Sequence, residues 1–331
     1  MTATTNNTMQ QKQNIPLISI PLCTFNGARY LSAQLDSLFA QSYSAVEIVA
    51  VDDCSTDATV SILNHYAGRH PNMRVVVNPA NLGFLRNFEL ALSHCRGEFI
   101  APCDQDDVWL PDKLDSLYRQ MDGGSMCYCD SALMDADGKL LGKSMSDIWM
   151  MKNLYDPMSM VMENCVSGHA MLFRRGLLSR ALPIPVGFFH DWWLAAVAAA
   201  NGGVIYCPQV LVHYRQHAAN VTDVLRTRKS RRDRKAISKL MKWRDTGDRI
   251  AALAELDGPS RVLLTQLDGL WRRRSEQWFC LSLVIFAFKY REILWRLLRA
   301  SEWRLMRRPL RYLTGMRWLR LVGGSADPKV G

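Results

Sequence analysis

The 331-residue chain has no apolar run long enough to cross a bilayer: its longest uncharged apolar stretch, residues 278–288, has eleven residues, where a spanning helix needs roughly 20. A simple transmembrane segment is therefore excluded. Residues 1–14 are polar, rich in Thr, Asn and Gln, and lack the apolar centre of a secretory signal; we expect a disordered lead-in there. Paired cysteines are also missing. The nine cysteines are odd in number and scattered through apolar segments, and the one close pair, Cys127 and Cys129, has no second pair at zinc-ligand spacing. That excludes a structural zinc site and suits a reducing compartment. No G-x-G-x-x-G follows the first apolar run, which argues against dinucleotide redox chemistry, and no segment repeats.

What is present is unevenly spread. Residues 226–320 hold 25 Lys/Arg against 9 Asp/Glu, so the net charge of +10 belongs to the last third, and the rest of the chain is slightly acidic. The chemistry is then to be sought before that basic region.

Apolar periodicity organises the first part. Residues 16–23 form a β-prone run that stops at the polar turn Thr24-Phe25-Asn26-Gly27, followed by a helical pattern through Leu31, Leu35, Leu38 and Phe39 and a buried-strand run at 46–51. Helix 57–66, strand 73–77, helix 84–95 and strand 98–101 continue the alternation. Such a pattern predicts an α/β fold with a mostly parallel sheet, whose ligands lie outside the carboxyl ends of the strands. Beyond a helix at 113–121 it becomes irregular, with strands expected at 126–129, 170–174 and 204–206 and a helix at 190–200. We place domain boundaries at 15–223 for the α/β unit and 224–331 for a basic helical region.

Two acidic groups, Asp52-Asp53 and Asp104-Gln105-Asp106-Asp107, directly follow predicted strands and so converge on one rim. Like charges this close repel and raise one another's pKa, a conflict that a divalent cation resolves. Hard oxygen ligands suit Mg²⁺ or Mn²⁺, which take one or two carboxylates together with substrate phosphate oxygens. The side chains of Asp104 and Asp106 share a face on an extended segment. The competing reading is an exposed acidic turn ahead of the helix at Lys113.

Taken together, the segments 18–27, Val51-Asp52-Asp53-Cys54-Ser55-Thr56-Asp57, Asn81-Leu82-Gly83, 96–100, 104–109 and His190-Asp191-Trp192-Trp193 resemble family 2 glycosyltransferases in order and spacing. Within that family the chain is most similar to bacterial rhamnosyltransferases of surface-polysaccharide assembly, over residues 16–222. The resemblance implies a GT-A fold, a nucleoside-diphosphate-sugar donor such as dTDP-rhamnose, a lipid-linked saccharide acceptor and inversion at the anomeric carbon.

Carried over residue by residue, it puts Asp53, Thr24 and Asn26 at the nucleoside, Asn81, Gly83 and Arg86 by the base and diphosphate, Asp106 on the metal and Asp104 on ribose or metal. Asp191 is the expected general base, because inverting transfer needs a carboxylate opposite the leaving diphosphate. Family members commonly carry Glu-Asp where this chain has His190-Asp191. Trp192 and Trp193 either stack on an acceptor sugar or pack in the core, and His169 either shapes the sugar pocket or is structural. The segment Tyr214-Arg215-Gln216-His217 resembles the family's closing loop, with Arg215 on phosphate and His217 as third metal ligand.

In the last third, Lys and Arg interleave with Trp and Leu, as in helices lying on an anionic membrane surface. With no recognisable reading motif, nucleic acid is not expected as a partner. The whole predicts a cytoplasmic enzyme, peripheral on the inner face of the membrane. Two alternatives stand beside it. One is a nucleotidyltransferase, although the Gly-rich basic triphosphate loop is missing after the first strand. The other is a non-catalytic sugar or nucleic-acid binding module.

Overall fold

The structure is a computed structural model that describes residues 15–217 and 239–315. The lead-in 1–14 and the basic stretches at 218–238 and 316–331, including Trp318 and Leu319, lie outside the described residues.

The first half is built as the alternation predicts: β1 (Ile18–Thr24), α1 (Ala28–Phe39), β2 (Val46–Asp52), α2 (Thr59–Ala67), β3 (Met73–Val77), α3 (Phe84–Ser93) and β4 (Phe99–Ile100). These four strands pair in parallel in the order β3-β2-β1-β4. Every residue of β1 is buried, as expected of a central parallel strand covered on both faces. Alternate residues of β2 feed opposite faces: Ile48 and Ala50 pack with Leu31, Leu35 and Leu63 of α1 and α2, and Val49 and Val51 pack with Phe88 of α3.

The second half departs from simple alternation. After β5 (Val108–Trp109) and α4 (Lys113–Gln120) come β6 (Met126–Met134), β7 (Leu140–Ser144), β8 (Met171–Arg174), α5 (Leu178–Ala181), α6 (His190–Ala200) and β9 (Val204–Arg215). The sheet continues β4-β8-β6-β9-β5, with β8 and β5 antiparallel to their neighbours and β6 parallel to β9. The β6 and β9 strands extend well beyond the runs 126–129 and 204–206. Their register passes from Cys129↔Cys207 to Asp130↔Val210, so Pro208 and Gln209 bulge out. Proline cannot donate to a ladder and is tolerated at such a bulge. Past it the pairing resumes and delivers Tyr214 and Arg215 to the rim.

Helices α7 (Lys239–Ala254), α8 (Arg261–Arg273), α9 (Leu281–Lys289), α10 (Arg291–Leu294) and α11 (Glu302–Arg307) follow. They do not stand apart. Ile250, Leu253, Leu264, Leu267, Trp271, Phe286, Trp295 and Leu297 are buried in the same core as Met158, Trp193 and Leu194. Among the described residues no helix is long and apolar enough to cross a membrane.

Because this core is shared, the helical region and the sheet are expected to melt as one unit. Leu264→Ala, at a fully buried position, should cost about 2–5 kcal/mol and lower a single calorimetric transition. Two separate transitions, with only the weaker one shifted, would contradict this.

Candidate functional site

Because β1 and β2 are in register from Ile18↔Val46 to Thr24↔Asp52, their ends are level and the loops that follow them meet. Asp52 is buried and organises this corner, accepting from Thr24 Oγ1 (2.8 Å), Ser55 N (2.8 Å) and Ser55 Oγ (2.6 Å). The Asn26 side-chain oxygen accepts from Thr56 N at 2.9 Å. Asp53 holds the next loop: Oδ1 accepts from Leu82 N (2.7 Å) and Asn78 Nδ2 (2.9 Å), and Oδ2 from Gly83 N (2.9 Å). The amide of Asn81 in turn donates to the Asp53 carbonyl oxygen at 3.2 Å. Asp57 accepts from the first helical N–H groups of both α1 (Ala28, 3.1 Å) and α2 (Thr59, 2.9 Å), which fits a carboxylate at helix N-termini.

The acidic loop after β4 closes over this corner. Gln105 pairs with the Phe25 backbone through both side-chain atoms, accepting at 2.9 Å and donating at 3.1 Å, so close to Gly27 that any Cβ there would collide with it. Asp104 is partly exposed, Asp106 mostly buried and Asp107 fully buried. His169 Nδ1 lies 3.4 Å from Asp107 Oδ2 and 3.8 Å from Asp104 Oδ2, while its Nε2 is 3.0 Å from Ser131 Oγ. His217 Nε2 meets Asp106 Oδ2 at 2.7 Å.

The carboxyls respond differently to this crowding. Burial opposes ionisation of Asp104, but the His169 hydrogen bond and charge outweigh it and hold the group below the usual carboxylate range. Asp106 is raised by burial and then by the Asp104 charge, and Asp107 is raised much further by burial and by both neighbours. Asp107 Oδ2 also has no hydrogen-bond partner among the described residues.

Beneath them lies a cation. Lys113 is fully buried, donates from Nζ to the His169 carbonyl oxygen at 2.6 Å and sits 2.9 Å from the Trp109 ring centroid. Burial pulls its pKa down to about 7. Sequence reading took Lys113 only as a helix start, yet its spacing four residues before Leu117 places it on the buried face of α4.

Asp191 enters from the far wall on the first turn of α6. Its Oδ1 accepts from Trp192 N at 2.6 Å, and burial raises its pKa to about 7. The helix is N-capped by Phe189, so Asp191 is not its cap. His190 is buried, stacked on Phe88 at 3.9 Å, and its ring nitrogens have no partner among the described residues. Burial lowers its pKa to about 4, so the ring is neutral near pH 7. Gly168 is pressed against it, where a Cβ would collide with the imidazole.

Thr24, Asn26, Asp53, Asn81, Gly83, Asp104, Asp106, His169, His190, Asp191, Trp192 and His217 all line one cleft of about 1260 Å³, together with Phe84, Phe88 and Phe189. Three other residues expected at the site are placed off its walls. Arg86 points outward on α3 and ion-pairs with Glu89 at 2.5 Å. Trp193 is buried, donating from Nε1 to the Ala181 carbonyl oxygen at 2.7 Å. Arg215 lies under the acidic loop: its Nε donates to the Asp106 carbonyl oxygen (2.7 Å), Nη1 to that of Ala136 (3.1 Å), and its backbone N–H to Asp107 Oδ1 (2.9 Å).

Two groups of side chains could hold a divalent ion. Asp104, Asp107 and His169 bring ligand atoms within 4.8 Å of one another, and Asp106 pairs with His217. Mg²⁺ and Mn²⁺ sites keep positions for water or substrate oxygens. Asp107 does not reach the cleft, whereas Asp104, Asp106 and His217 all face it. Of the first group Asp104 and His169 face the cleft, and Asp107 lies behind them.

A parallel half-sheet with acidic strand ends, extended by mixed strands that carry a second wall, is the GT-A architecture of glycosyltransferases. Residues 19–182 match the model of the Glycosyl transferase family 2. Staphylococcus aureus TarS 1–349, solved with UDP-GlcNAc, aligns over 78% of this chain and 86% of its own with a TM-score of 0.53 and 16% identity. A mannosyltransferase from Pyrobaculum calidifontis, solved with GDP-Man and Mn²⁺, aligns over 91% and 86% with a TM-score of 0.54 and 19% identity. TuaG of Bacillus subtilis, named as a teichuronic acid biosynthesis glycosyltransferase, is 33% identical over 39% of this chain and 52% of its own. The chain spans about three fifths of the length of the mycobacterial relatives it matches.

A pKa raised from 3.8 to about 7 makes ionised Asp191 a burden on the folded state. The cost is absent below the unfolded value near pH 4, grows between there and about pH 7, and is complete above it. Asp191→Asn should therefore raise the melting temperature by several degrees in alkaline buffer and leave it nearly unchanged in acid. An equal shift at both ends would exclude burial of this carboxyl as the cause.

Proposed function

We propose that the protein is an inverting glycosyltransferase that takes a sugar from a nucleoside-diphosphate donor to a saccharide acceptor in surface-polymer synthesis. The observation that carries this reading is the convergence of Asp53, Asp104, Asp106 and Asp191 on one cleft in a chain whose residues 19–182 match the Glycosyl transferase family 2 model. The acids at the strand ends face Asp191 across space for a sugar. Asp53, Thr24, Asn26, Asn81 and Gly83 form the nucleoside end, and Asp191 accepts the proton of the attacking acceptor hydroxyl. A carboxylate poised near neutrality suits that task, because a general base works best with a pKa close to the working pH.

In this reading Asp104, Asp106 and His217 would hold Mn²⁺ or Mg²⁺, whose charge would offset the burial and the Asp104 charge that raise Asp106. When bound, such an ion offsets charge on a departing diphosphate. Neutral His190 offers one donor and one acceptor to sugar hydroxyls. The aromatic wall of Phe84, Phe88 and Phe189 suits a sugar with an apolar edge, which favours a 6-deoxyhexose such as rhamnose from its dTDP donor. Trp192, partly exposed in the cleft, serves as an acceptor platform. The acceptor in this reading is lipid-linked, and the basic helices hold the enzyme on the inner face of the cytoplasmic membrane.

Screening nucleotide sugars for turnover with a lipid-linked saccharide tests the reading directly. Asp191→Asn should keep donor binding and lose about 10²- to 10⁴-fold in kcat; in the unaltered enzyme kcat/KM should climb with pH through about 7 as Asp191 loses its proton. Normal turnover by Asp191→Asn would remove it as the base. For the metal, Mn²⁺-dependent donor binding measured by calorimetry should vanish in Asp106→Asn and weaken in His217→Ala. Full activity in a chelator would overturn that assignment.

A further inference from the structure

A second cavity, of about 1070 Å³, lies between the segment at residues 149–152 and the chain from α10 to α11. Its walls are tied together. Trp149 and Leu298 form an antiparallel bridge, Met150 N donates to the Leu297 carbonyl oxygen at 2.9 Å, and Arg299 Nε donates to that of Trp149 at 3.3 Å. The lining is strongly cationic: Lys152, Arg296, Arg299 and Arg304 face it, against one carboxylate, Glu292. Glu292 pairs with Arg291 at 3.3 Å. Lys152, Arg296 and Arg304 have no ion pair among the described residues.

Four cations converging against a single carboxylate leave an excess of positive charge that suits a phosphate-bearing group. The helix that supplies Arg304 indicates its source. On α11, Trp303 is 69% exposed, its ring 5.6 Å from the Arg307 guanidinium, and Met306 is 44% exposed. Apolar side chains that enter the acyl region next to cations at headgroup level are what an interfacial helix requires. We propose that this groove receives the phosphate headgroup of a bilayer lipid, with Trp303 and Met306 inserted beside it.

The position of the groove gives the contact a purpose. Leu298 and Arg299 line both this cavity and the acidic cleft, so a headgroup seated here would bring the cleft mouth against the membrane, where a lipid-borne acceptor would reach Asp191. This last link rests on the transfer reading above; the lipid site itself does not.

Sedimentation of the full chain with vesicles tests the site without turnover. The protein should bind phosphatidylcholine vesicles containing phosphatidylglycerol and not vesicles of phosphatidylcholine alone. The triple variant Lys152→Gln/Arg296→Gln/Arg304→Gln should weaken binding about 100-fold, at about fivefold per cation near the surface. A control with the same charge change, Arg69→Gln/Arg119→Gln/Arg180→Gln, should bind as the unaltered protein does. Equal loss in both triples would mean diffuse attraction, and no loss in the first, or equal binding to neutral vesicles, would overturn the site. Nucleotide-induced thermal stabilisation should persist in the groove variant and so report an intact cleft. If vesicle binding behaves as expected and no nucleotide sugar is turned over, the transfer reading fails and the lipid site stands.

Discussion

The constraint on which the cleft depends is the confinement of three carboxylates, Asp104, Asp106 and Asp107, to four consecutive residues at a strand end. Left to themselves such groups separate or protonate. Here the fold surrounds them. Lys113 rises from α4 below, His169 comes from the segment before β8, and Arg215 ends β9 with its guanidinium bridging the Asp106 carbonyl oxygen and that of Ala136. The compensation is incomplete, since Asp106 and Asp107 still have raised pKa values. Under-neutralised carboxylates attract positive charge, and of the two raised groups Asp106 is the one on the cleft wall.

The same arrangement explains why the second half of the sheet is mixed. A purely parallel continuation would bring further strand ends and further loops to the rim, but no element from across it. Antiparallel β8 is instead entered from the rim, through Gly168 and His169, and α6 begins there with His190 and Asp191. Opposite walls are thus fixed to one sheet, and the separation between the strand-end acids and Asp191 is set by packing rather than by a mobile loop. The C-terminal helices complete the enclosure, because Leu298 and Arg299 stand on the cleft wall while Trp295 and Leu297 are buried in the shared core. Removing the helices would expose that core, so point changes inform on their role better than truncation does.

Much of this was legible in the residues. The β-α-β half follows directly from apolar periodicity, and strand Met73–Val77 and helix His190–Ala200 have the bounds the pattern predicts. What stayed hidden was structure with weak apolar signal. Strand β7 is largely exposed, β5 is a two-residue pairing, and Pro208 ends the visible run of β9 although the strand resumes beyond it. At the site, strand ends disclose which acids gather, because position in the chain decides that. Direction is another matter. Arg86, Trp193 and Arg215 have the chemistry of ligand contacts, but each finds a partner within the protein, and only three-dimensional packing decides between the two uses. The buried pairing of Asp107 with His169 joins residues from distant segments, and no local spacing announces it.

His190 and Asp191 show what that packing sustains. Each is costly where it stands: an imidazole stacked on Phe88 with both nitrogens unpaired, and a carboxyl whose ionisation burial opposes. Most side chains in the core avoid such states, Asp107 beneath the acidic loop being another that does not, and a fold selected for stability alone would place a leucine or an asparagine at either position. Neighbouring residues make the arrangement hard to relax, because Gly168 closes one side of the imidazole and Phe88 the other. Perturbed groups held rigidly beside a cleft are the usual mark of a working site. The cost of this corner and its place on the cleft wall therefore have one cause, the packing that fixes His190 and Asp191 there.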